Sequence, residues 1–249
     1  MELTAFFQKN PKFALAFSGG ADSAYLLFAA VKSGADVRAY YVKSAFQPRF
    51  ELEDAKRMAA RLGAAMTVID ADVLSYGPVA ANPPDRCYHC KRIILRAIMK
   101  QAEEDGYDML IDGTNASDDA GDRPGMRALE ELAVRSPLRE CGLTKEEIRR
   151  RSRQAGLFTW DKPAYACLAT RIPAGEAITR EKLERTEQAE DFLRSLGFTD
   201  FRVRSVGDAA KLQVPAAQLE QLMRHRKSIV QELKKHYTSV LLDMEARDE

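Results

Sequence analysis

The sequence predicts an α/β fold: a parallel-sheet domain over residues 1–172 and a smaller α+β domain over residues 173–249. Three observations carry this expectation. Apolar β-type runs alternate with amphipathic helical runs through the first 115 residues, as in parallel strands joined by crossover helices. A serine- and glycine-rich turn sits at the first strand-to-helix junction. Beyond Pro173 the order changes to a helix, two strands, a long helix and a last apolar run, with no internal repeat.

Taken in order, FALAF (13–17) reads as a buried strand, and SAYLLFAAVKSG as the first helix, closed by Gly34. VRAYYV (37–42) is the second strand. In ELEDAKRMAARLG, Leu52, Ala55, Met58, Ala59 and Leu62 share one helical face, and Gly63 suits the position after the cap. MTVID (66–70) is the third strand. A helix over 89–105 turns Ile93, Ile94, Ala97 and Ile98 inward and ends at Gly106, and MLID (109–112) is the fourth strand. Residues 113–143 are loop-like, with GTNASDDAGDRPG concentrating turn formers, and loops of that length in a compact domain are usually functional. TKEEIRRRSRQAG (144–156) is a short basic helix with a threonine N-cap, whose charges read as a solvated face before a nucleic-acid surface. After Pro173 come a helix (180–196), strands at 201–206 and 211–214, a long helix (216–236) and the apolar run 239–244.

Composition bounds the function. Lys and Arg number 38 against 37 Asp and Glu, a net charge of +1, which excludes a generally basic polyanion binder. The 45% hydrophobic content excludes dominant disorder. MELTAFFQKNPK has no signal-type apolar run, and no stretch approaches the ~20 apolar residues of a bilayer helix, so a cytoplasmic protein with no membrane or nucleic-acid partner is expected. Four cysteines are too few for a secreted disulfide framework.

The sharpest motif is Ser18-Gly19-Gly20-Ala21-Asp22-Ser23. Backbone N–H groups at a strand-to-helix turn are unpaired and aided by the helix dipole, so they form an anion site. Glycines admit phosphate oxygens without a Cβ in the way, Ser18 and Ser23 add hydroxyls, and Asp22 makes sense as a Mg²⁺ ligand beside the phosphates. No lysine follows the glycines, which argues against γ-phosphoryl transfer. This turn resembles that of the PP-loop ATP pyrophosphatases, with their adenine nucleotide alpha hydrolase-like fold. The resemblance implies ATP bound by its pyrophosphate, attack of an oxygen nucleophile on the α-phosphate, and an adenylated intermediate.

Two further segments carry chemistry. Asp112-Gly113-Thr114-Asn115, running on to Asp118, Asp119, Asp122 and Arg123, starts at a strand's C-terminal end, where open α/β sheets bind ligands. Gly113 is expected to allow close approach of a nucleotide, and the Asp and Asn side chains to make polar or metal contacts; an Asx-rich surface turn fits equally well. Cys87-Tyr88-His89-Cys90-Lys91 lies where a loop enters a helix, which favours thiolate. A zinc site completed by Cys167 and His89, a three-cysteine iron–sulfur site and inert buried thiols all remain open, with metal or cluster binding favoured.

The ordered set S-G-G-A-D-S, C-Y-H-C-K, D-G-T-N-A-S-D-D-A-G-D-R-P-G-M-R-A, G-L-T-K-E-E-I-R and C-L-A-T-R-I-P resembles the LarE family across most of the chain. These are the ATP-dependent sulfur transferases that mature the nickel-pincer nucleotide cofactor of lactate racemase. The resemblance implies adenylation of a carboxylate of pyridinium-3,5-biscarboxylic acid mononucleotide with Mg²⁺, and displacement of AMP by sulfur. It assigns ATP to Ser18, Gly19, Gly20, Asp22 and Ser23, with Ser44 and Gly113 also in the nucleotide site. In one branch the cysteine at Cys167 gives up its own sulfur; in the other, three cysteines hold a [4Fe-4S] cluster whose open iron carries sulfide. Cys87, Cys90 and Cys167 together match the cluster branch, which needs a sulfide source. The resemblance also implies a homo-oligomer.

Other positions carry over singly. Lys91 and Arg171 match basic positions for phosphate or carboxylate groups, and Glu190 matches an acidic residue near substrate or metal. Arg202 and Arg204 share one strand face, with Phe201 and Val203 on the other, and the resemblance puts a phosphate there; an exposed sheet face is the alternative. Cys141 reads as structural or incidental, His225 and His236 as surface residues, and Trp160 with the Tyr and Phe residues as core. Two rivals stand: a tRNA 2-thiolation enzyme, disfavoured by the net charge of +1 and the lack of a second C-x-x-C, and a non-catalytic nucleotide- and zinc-binding module.

Overall fold

A computed structural model of the chain describes residues 2–118 and 124–247. It divides into two compact units, Met1–Val73 with Asp85–Lys162, and Leu74–Pro84 with Pro163–Glu249. The division expected after residue 172 thus falls ten residues earlier by sequence (172 − 162), and a short inner segment joins the second unit. Asn82 ties that segment: buried and at φ 55°, it donates from Nδ2 to the carbonyls of Pro173 (2.8 Å) and Glu176 (3.1 Å). Gly175 N donates back to the Asn82 carbonyl at 2.8 Å.

The first unit opens on a helix that sequence pattern did not indicate, α1 (Leu3–Lys9), which buries Leu3, Phe6 and Phe7. There follow β1 (Lys12–Ala16), α2 (Ala21–Lys32), β2 (Asp36–Lys43), α3 (Arg49–Leu62) and β3 (Ala65–Asp70). The four-stranded parallel sheet has the order β3-β2-β1-β4, where β4 is Leu110–Asp112. Alternation along the strands divides the core as the pleat requires: Phe13, Leu15 and Tyr41 face one cluster, Ala14, Tyr40 and Val42 the other. α3 buries Ala55, Met58 and Ala59 and ends at Gly63, whose φ of 62° is the left-handed cap expected.

The second cluster is closed by the long helix α5 (Arg86–Glu104), which follows the short α4 (Gly77–Ala80) of the other unit. The stretch 113–143 is not all loop. It carries α6 (Pro124–Glu131) and α7 (Pro137–Glu140). A proline at the first turn lacks only an N–H that has no helical partner anyway, and Met126 and Leu129 supply the buried stripe that turn-forming neighbours obscured. α8 (Lys145–Gln154) closes the unit, and its Thr144 Oγ1 accepts from Glu147 N at 3.3 Å, the N-cap read from sequence.

The second unit packs α9 (Arg180–Ser195) against a sheet of order β5-β6-β7, with β5 (Arg202–Val206) antiparallel and β7 (Ser239–Leu242) parallel to β6 (Ala209–Gln213). Its core holds Leu193, Phe198, Val203, Leu212 and Leu233. The helix expected over 216–236 is broken at His225 into α10 (Leu219–Arg224) and α11 (Arg226–Leu233). Among the described residues no helix is long and apolar enough to cross a membrane.

Candidate active site

Strand β1 pairs with β2 on one side and β4 on the other, so chain order reverses there, and ligands of open α/β sheets bind beyond the strand ends at such a point. The register aligns Ala16 with Tyr40 and Asp112, which brings the turn after β1 beside the loop after β4. Gly19 has φ 74°, and a Cβ there would stand 3.0 Å from Ala55 Cβ, so backbone and packing both require glycine. Gly20 is different. Its φ is −76°, and an added Cβ would meet nothing nearer than Ser18 Oγ at 3.4 Å. The protein itself does not demand glycine there; an occupant of the cradle in front of it would.

Gly20 is also the N-cap of α2, and no side chain caps that helix, which leaves the cradle lined by first-turn N–H groups. Ser18 Oγ lies 3.1 Å from Ser23 Oγ and accepts from Gly20 N at 3.3 Å, so the hydroxyls also shape the turn. Gly113 has a packing reason of its own: a Cβ would lie 2.9 Å from Ser23 N. Ser44, after β2, is buried; its Oγ lies 2.6 Å from Gln47 Oε1 and accepts from Phe46 N at 3.2 Å, closing a turn.

Asp22 points into the site. Its Oδ1 is buried and accepts no well-aligned hydrogen bond among the described residues, its Oδ2 lies 3.5 Å from Lys145 Nζ, and the Asn115 side chain also stabilises the carboxylate. Burial raises its pKa, Lys145 opposes the rise, and Asp118 adds to it. An unsatisfied carboxylate oxygen beside an anion cradle fits a divalent cation. Sequence pattern makes Lys145 part of a solvated face; the fold carries it to Asp22 instead. No local pattern signals this, because the two residues are 123 apart.

The loop after β4 is mostly self-contained. Asp112 accepts from Thr114 N (3.2 Å), Thr114 Oγ1 (2.6 Å) and Ser136 Oγ (2.7 Å), with Lys91 Nζ 3.7 Å away. Asn115 N donates to Asp118 Oδ2 at 3.0 Å, and Ser117 N to Asn115 Oδ1 at 2.8 Å, so the Asx-turn reading describes much of this loop. Asp119, Asp122 and Arg123 lie outside the described residues.

Cys87 and Cys90 stand three residues apart in the first turns of α5, the first exposed and the second buried. Arg86 donates to Cys87 Sγ at 3.3 Å. Cys167 belongs to the second unit, at the N-cap of the 3₁₀ turn Leu168–Arg171. No cysteine forms a disulfide, and among the described residues no three His, Cys, Asp or Glu side chains are gathered as a metal site.

The segment around Cys167 is held from beneath by a buried polar cluster. Arg171, expected to face substrate, has a side chain 0% exposed. It donates from Nε to Glu190 Oε1 (2.8 Å), from Nη2 to Glu190 Oε2 (3.2 Å), and from Nη1 to Ala166 O and Thr170 Oγ1 (both 2.8 Å). Glu190, expected near substrate or metal, accepts also from Val203 N (3.1 Å) and the Tyr165 hydroxyl (2.5 Å). Both residues are therefore committed to protein partners. Burial opposes the charge on Arg171, but Glu190 outweighs it and raises the guanidinium pKa.

Arg202 and Arg204 do share a face, yet neither lies on an exposed sheet. Arg202 donates to the carbonyls of Phe201 and Ala164 (2.6 Å each), and Arg204 to Thr170 O at 2.8 Å and to Gln213 Oε1. Burial, then repulsion from Arg171 and Arg247, lowers the Arg202 pKa to about 10. Tyr165 is the residue the sequence did not reveal: the guanidiniums of Arg171 and Arg202 sit 4.6 and 5.3 Å from its ring centre. Trp160 and Tyr88 likewise carry arginines on their rings, Arg153 at 4.8 Å and Arg127 at 3.6 Å, so these aromatics do more than fill core.

A parallel sheet with an uncapped serine-glycine turn at its switch point, and an unsatisfied aspartate beside it, defines a PP-loop ATP-using enzyme. The model of the queuosine biosynthesis protein QueC family matches residues 12–80, which span the glycine turn. The chain is 38% identical to uncharacterized protein slr1717 of Synechocystis over 89% of its length and 83% of that protein. It is 32% identical to the pyridinium-3,5-bisthiocarboxylic acid mononucleotide synthase of Lactiplantibacillus plantarum over 87% of its length and 79% of that enzyme. Uncharacterized protein MJ0830 of Methanocaldococcus jannaschii is 29% identical over 95% and 91%. The chain belongs to the LarE family of ATP-dependent sulfur transferases.

Proposed function

We propose that this protein adenylates a carboxylate of pyridinium-3,5-biscarboxylic acid mononucleotide and exchanges the adenylate for sulfur, on the way to a nickel-pincer nucleotide. The observation that carries the reading is the Gly20 cradle with the bare Asp22 Oδ1 beside it, in a chain similar along most of its length to a synthase of the bisthiocarboxylate. The substrate carboxylate oxygen bonds to Pα of ATP, the bond from Pα to the β-phosphate oxygen breaks, and pyrophosphate leaves with that electron pair. First-turn N–H groups of α2 hold the phosphates, and Asp22 would hold Mg²⁺. A sulfur nucleophile then attacks the carbonyl carbon, and AMP departs, leaving a thiocarboxylate.

Cys87, Cys90 and Cys167 would hold a [4Fe-4S] cluster, a donor set of three thiolates that leaves one iron open to a sulfide. The arginine–glutamate cluster under residues 165–171 then fixes the backbone that carries Cys167. Arg204 and Lys91, both partly exposed, are the cations offered to substrate anions.

The test is incubation of anaerobically prepared protein with ATP, Mg²⁺, sulfide and the biscarboxylated nucleotide, followed by mass spectrometry. Oxygen-to-sulfur exchange with release of AMP and pyrophosphate is expected, and no mass gain would reject the substrate. For the cluster, iron analysis should give about four irons per chain. Cys87→Ala, Cys90→Ala and Cys167→Ala should each abolish it; stoichiometric zinc without iron after reconstitution would overturn that part.

A further inference from the structure

The glycine turn has no lysine of its own, yet a lysine reaches it from the far end of the unit. We propose that Lys145 is a displaceable counter-ion of the ATP site: its ammonium occupies Asp22 in the nucleotide-free protein, yields Asp22 to the Mg²⁺ that arrives with ATP, and turns to the pyrophosphate oxygens. The inference rests on the reading of this turn as an ATP site and adds to it the source of the positive charge.

Two features make the swing possible. The backbone at Lys145 is fixed: Thr144 caps α8, Lys145 N donates to Ser117 Oγ at 3.0 Å, and Ala116 N donates to Leu143 O at 2.8 Å. These bonds staple the start of α8 to the loop after β4, which lies beside the glycine turn. The side chain is not fixed. It is 41% exposed, its ion pair among the described residues is the 3.5 Å contact with Asp22 Oδ2, and a four-carbon stem reorients at little cost.

The charges supply the direction. Among the described residues Asp22 has the Lys145 ammonium, the carboxylate of Asp118 and the neutral Asn115 side chain around it. Among the described residues the Lys145 ammonium stands against these two carboxylates and lowers the negative charge that a triphosphate meets on docking. A divalent cation on Asp22 competes with the ammonium, and the nearest anion then available to Lys145 is the polyphosphate. As the Pα–O bond breaks, negative charge gathers on the departing oxygen, where a charge-assisted hydrogen bond from the ammonium is strongest. No proton need move.

The experiment uses the full chain and three ligands. With Mn²⁺ alone, Lys145→Met should bind about three- to fivefold more tightly than wild type, because the competing cation is gone. With ATP or pyrophosphate plus Mg²⁺, the same variant should bind about ten- to hundredfold more weakly, while AMP binding stays within about twofold. Lys145→Arg should recover part of the pyrophosphate affinity. The exposed side chain leaves no cavity when shortened, and Lys145→Gln serves as a second variant should Lys145→Met fold poorly. Unchanged Mn²⁺ affinity, or equal weakening of ATP and AMP, would reduce Lys145 to a loop tether and overturn the proposal. Wild-type protein that binds no ATP at all would instead sink the underlying reading of the turn.

Discussion

Replacing Glu190 by Gln keeps the shape of the side chain and removes one buried charge. The carboxylate is 1% exposed and accepts from Arg171 Nε and Nη2, Val203 N and the Tyr165 hydroxyl. Arg171, 0% exposed, would keep its charge with no counter-ion. Breaking a buried pair by removing one partner costs about 3–5 kcal/mol, because the remaining charge stays desolvated. With a urea m-value of about 2 kcal/mol/M, the midpoint of the second unit should fall by about 1.5–2.5 M. The probes separate the units: the single tryptophan, Trp160, lies in the first, so its fluorescence follows that unit while far-UV circular dichroism follows both. The variant should show an early dichroism transition and an unmoved fluorescence transition. Arg171→Met added to Glu190→Gln should recover part of the loss, since the uncompensated cation goes with it. A loss below about 1 kcal/mol, or a double variant showing simple additivity, would refute the account of the pair as a buried structural unit.

The two cradle glycines should separate cleanly. Gly20→Ala, with ordinary φ and 3.4 Å of room, should leave stability within about 1 kcal/mol yet weaken ATP binding at least about tenfold, measured by calorimetry. Gly113→Ala, whose Cβ would press on Ser23 N at 2.9 Å, should instead cost about 1–3 kcal/mol in thermal unfolding. Asn82→Ala removes two hydrogen bonds from a buried amide to the carbonyls of Pro173 and Glu176 and should destabilise the second unit by about 1–3 kcal/mol, read by the early dichroism transition. Glu147 has its pKa lowered to about 2, first by hydrogen bonds from Arg150 and Arg151. A folded pKa below the unfolded value of 4.5 means that its stabilising contribution is present above pH 4.5 and is lost as pH falls towards 2. Stability curves of wild type and Glu147→Gln should therefore converge over that range, and a constant gap would count against the pairing.

What was legible in the sequence was local. Hydrophobic period placed β1, α2, β2, α3 and β3 to within a few residues, because each buries a face whose spacing is set by its own geometry. The serine-glycine turn was readable for the same reason: strand, turn and helix are contiguous. What could not be read depends on contacts across the chain. α6 was hidden by its turn-forming neighbours and is held by packing against α5 through Met126 and Leu129. Residues 74–84 carry no pattern that assigns them to either unit, and it is Asn82 that commits them to the second. Arg171 and Glu190 carry charges that any pattern would place at the surface or in a substrate pocket, and only their mutual pairing permits full burial.

These misplacements share a cause that bears on mechanism. Cations beside a proposed anion site invite assignment as ligands, yet this chain uses them at different depths. Arg171 and Arg202 are buried and direct their donors to backbone carbonyls and Glu190, so their contribution is the rigidity of the segment that carries Cys167. Lys91 and Lys145 are partly exposed, each paired with one aspartate among the described residues, and a flexible ammonium so paired can exchange partners when a stronger cation or anion arrives. Guanidinium groups with several fixed acceptors cannot do so without leaving those acceptors unsatisfied. The division predicts opposite signatures on mutation: variants of Arg171 and Arg202 should lose stability, and with it any assembly of the proposed cluster, whereas lysine variants should fold normally and lose affinity for phosphate-bearing ligands. A lysine variant that unfolds, or an arginine variant that keeps full stability while losing substrate affinity, would show that depth of burial is the wrong criterion for telling the two roles apart.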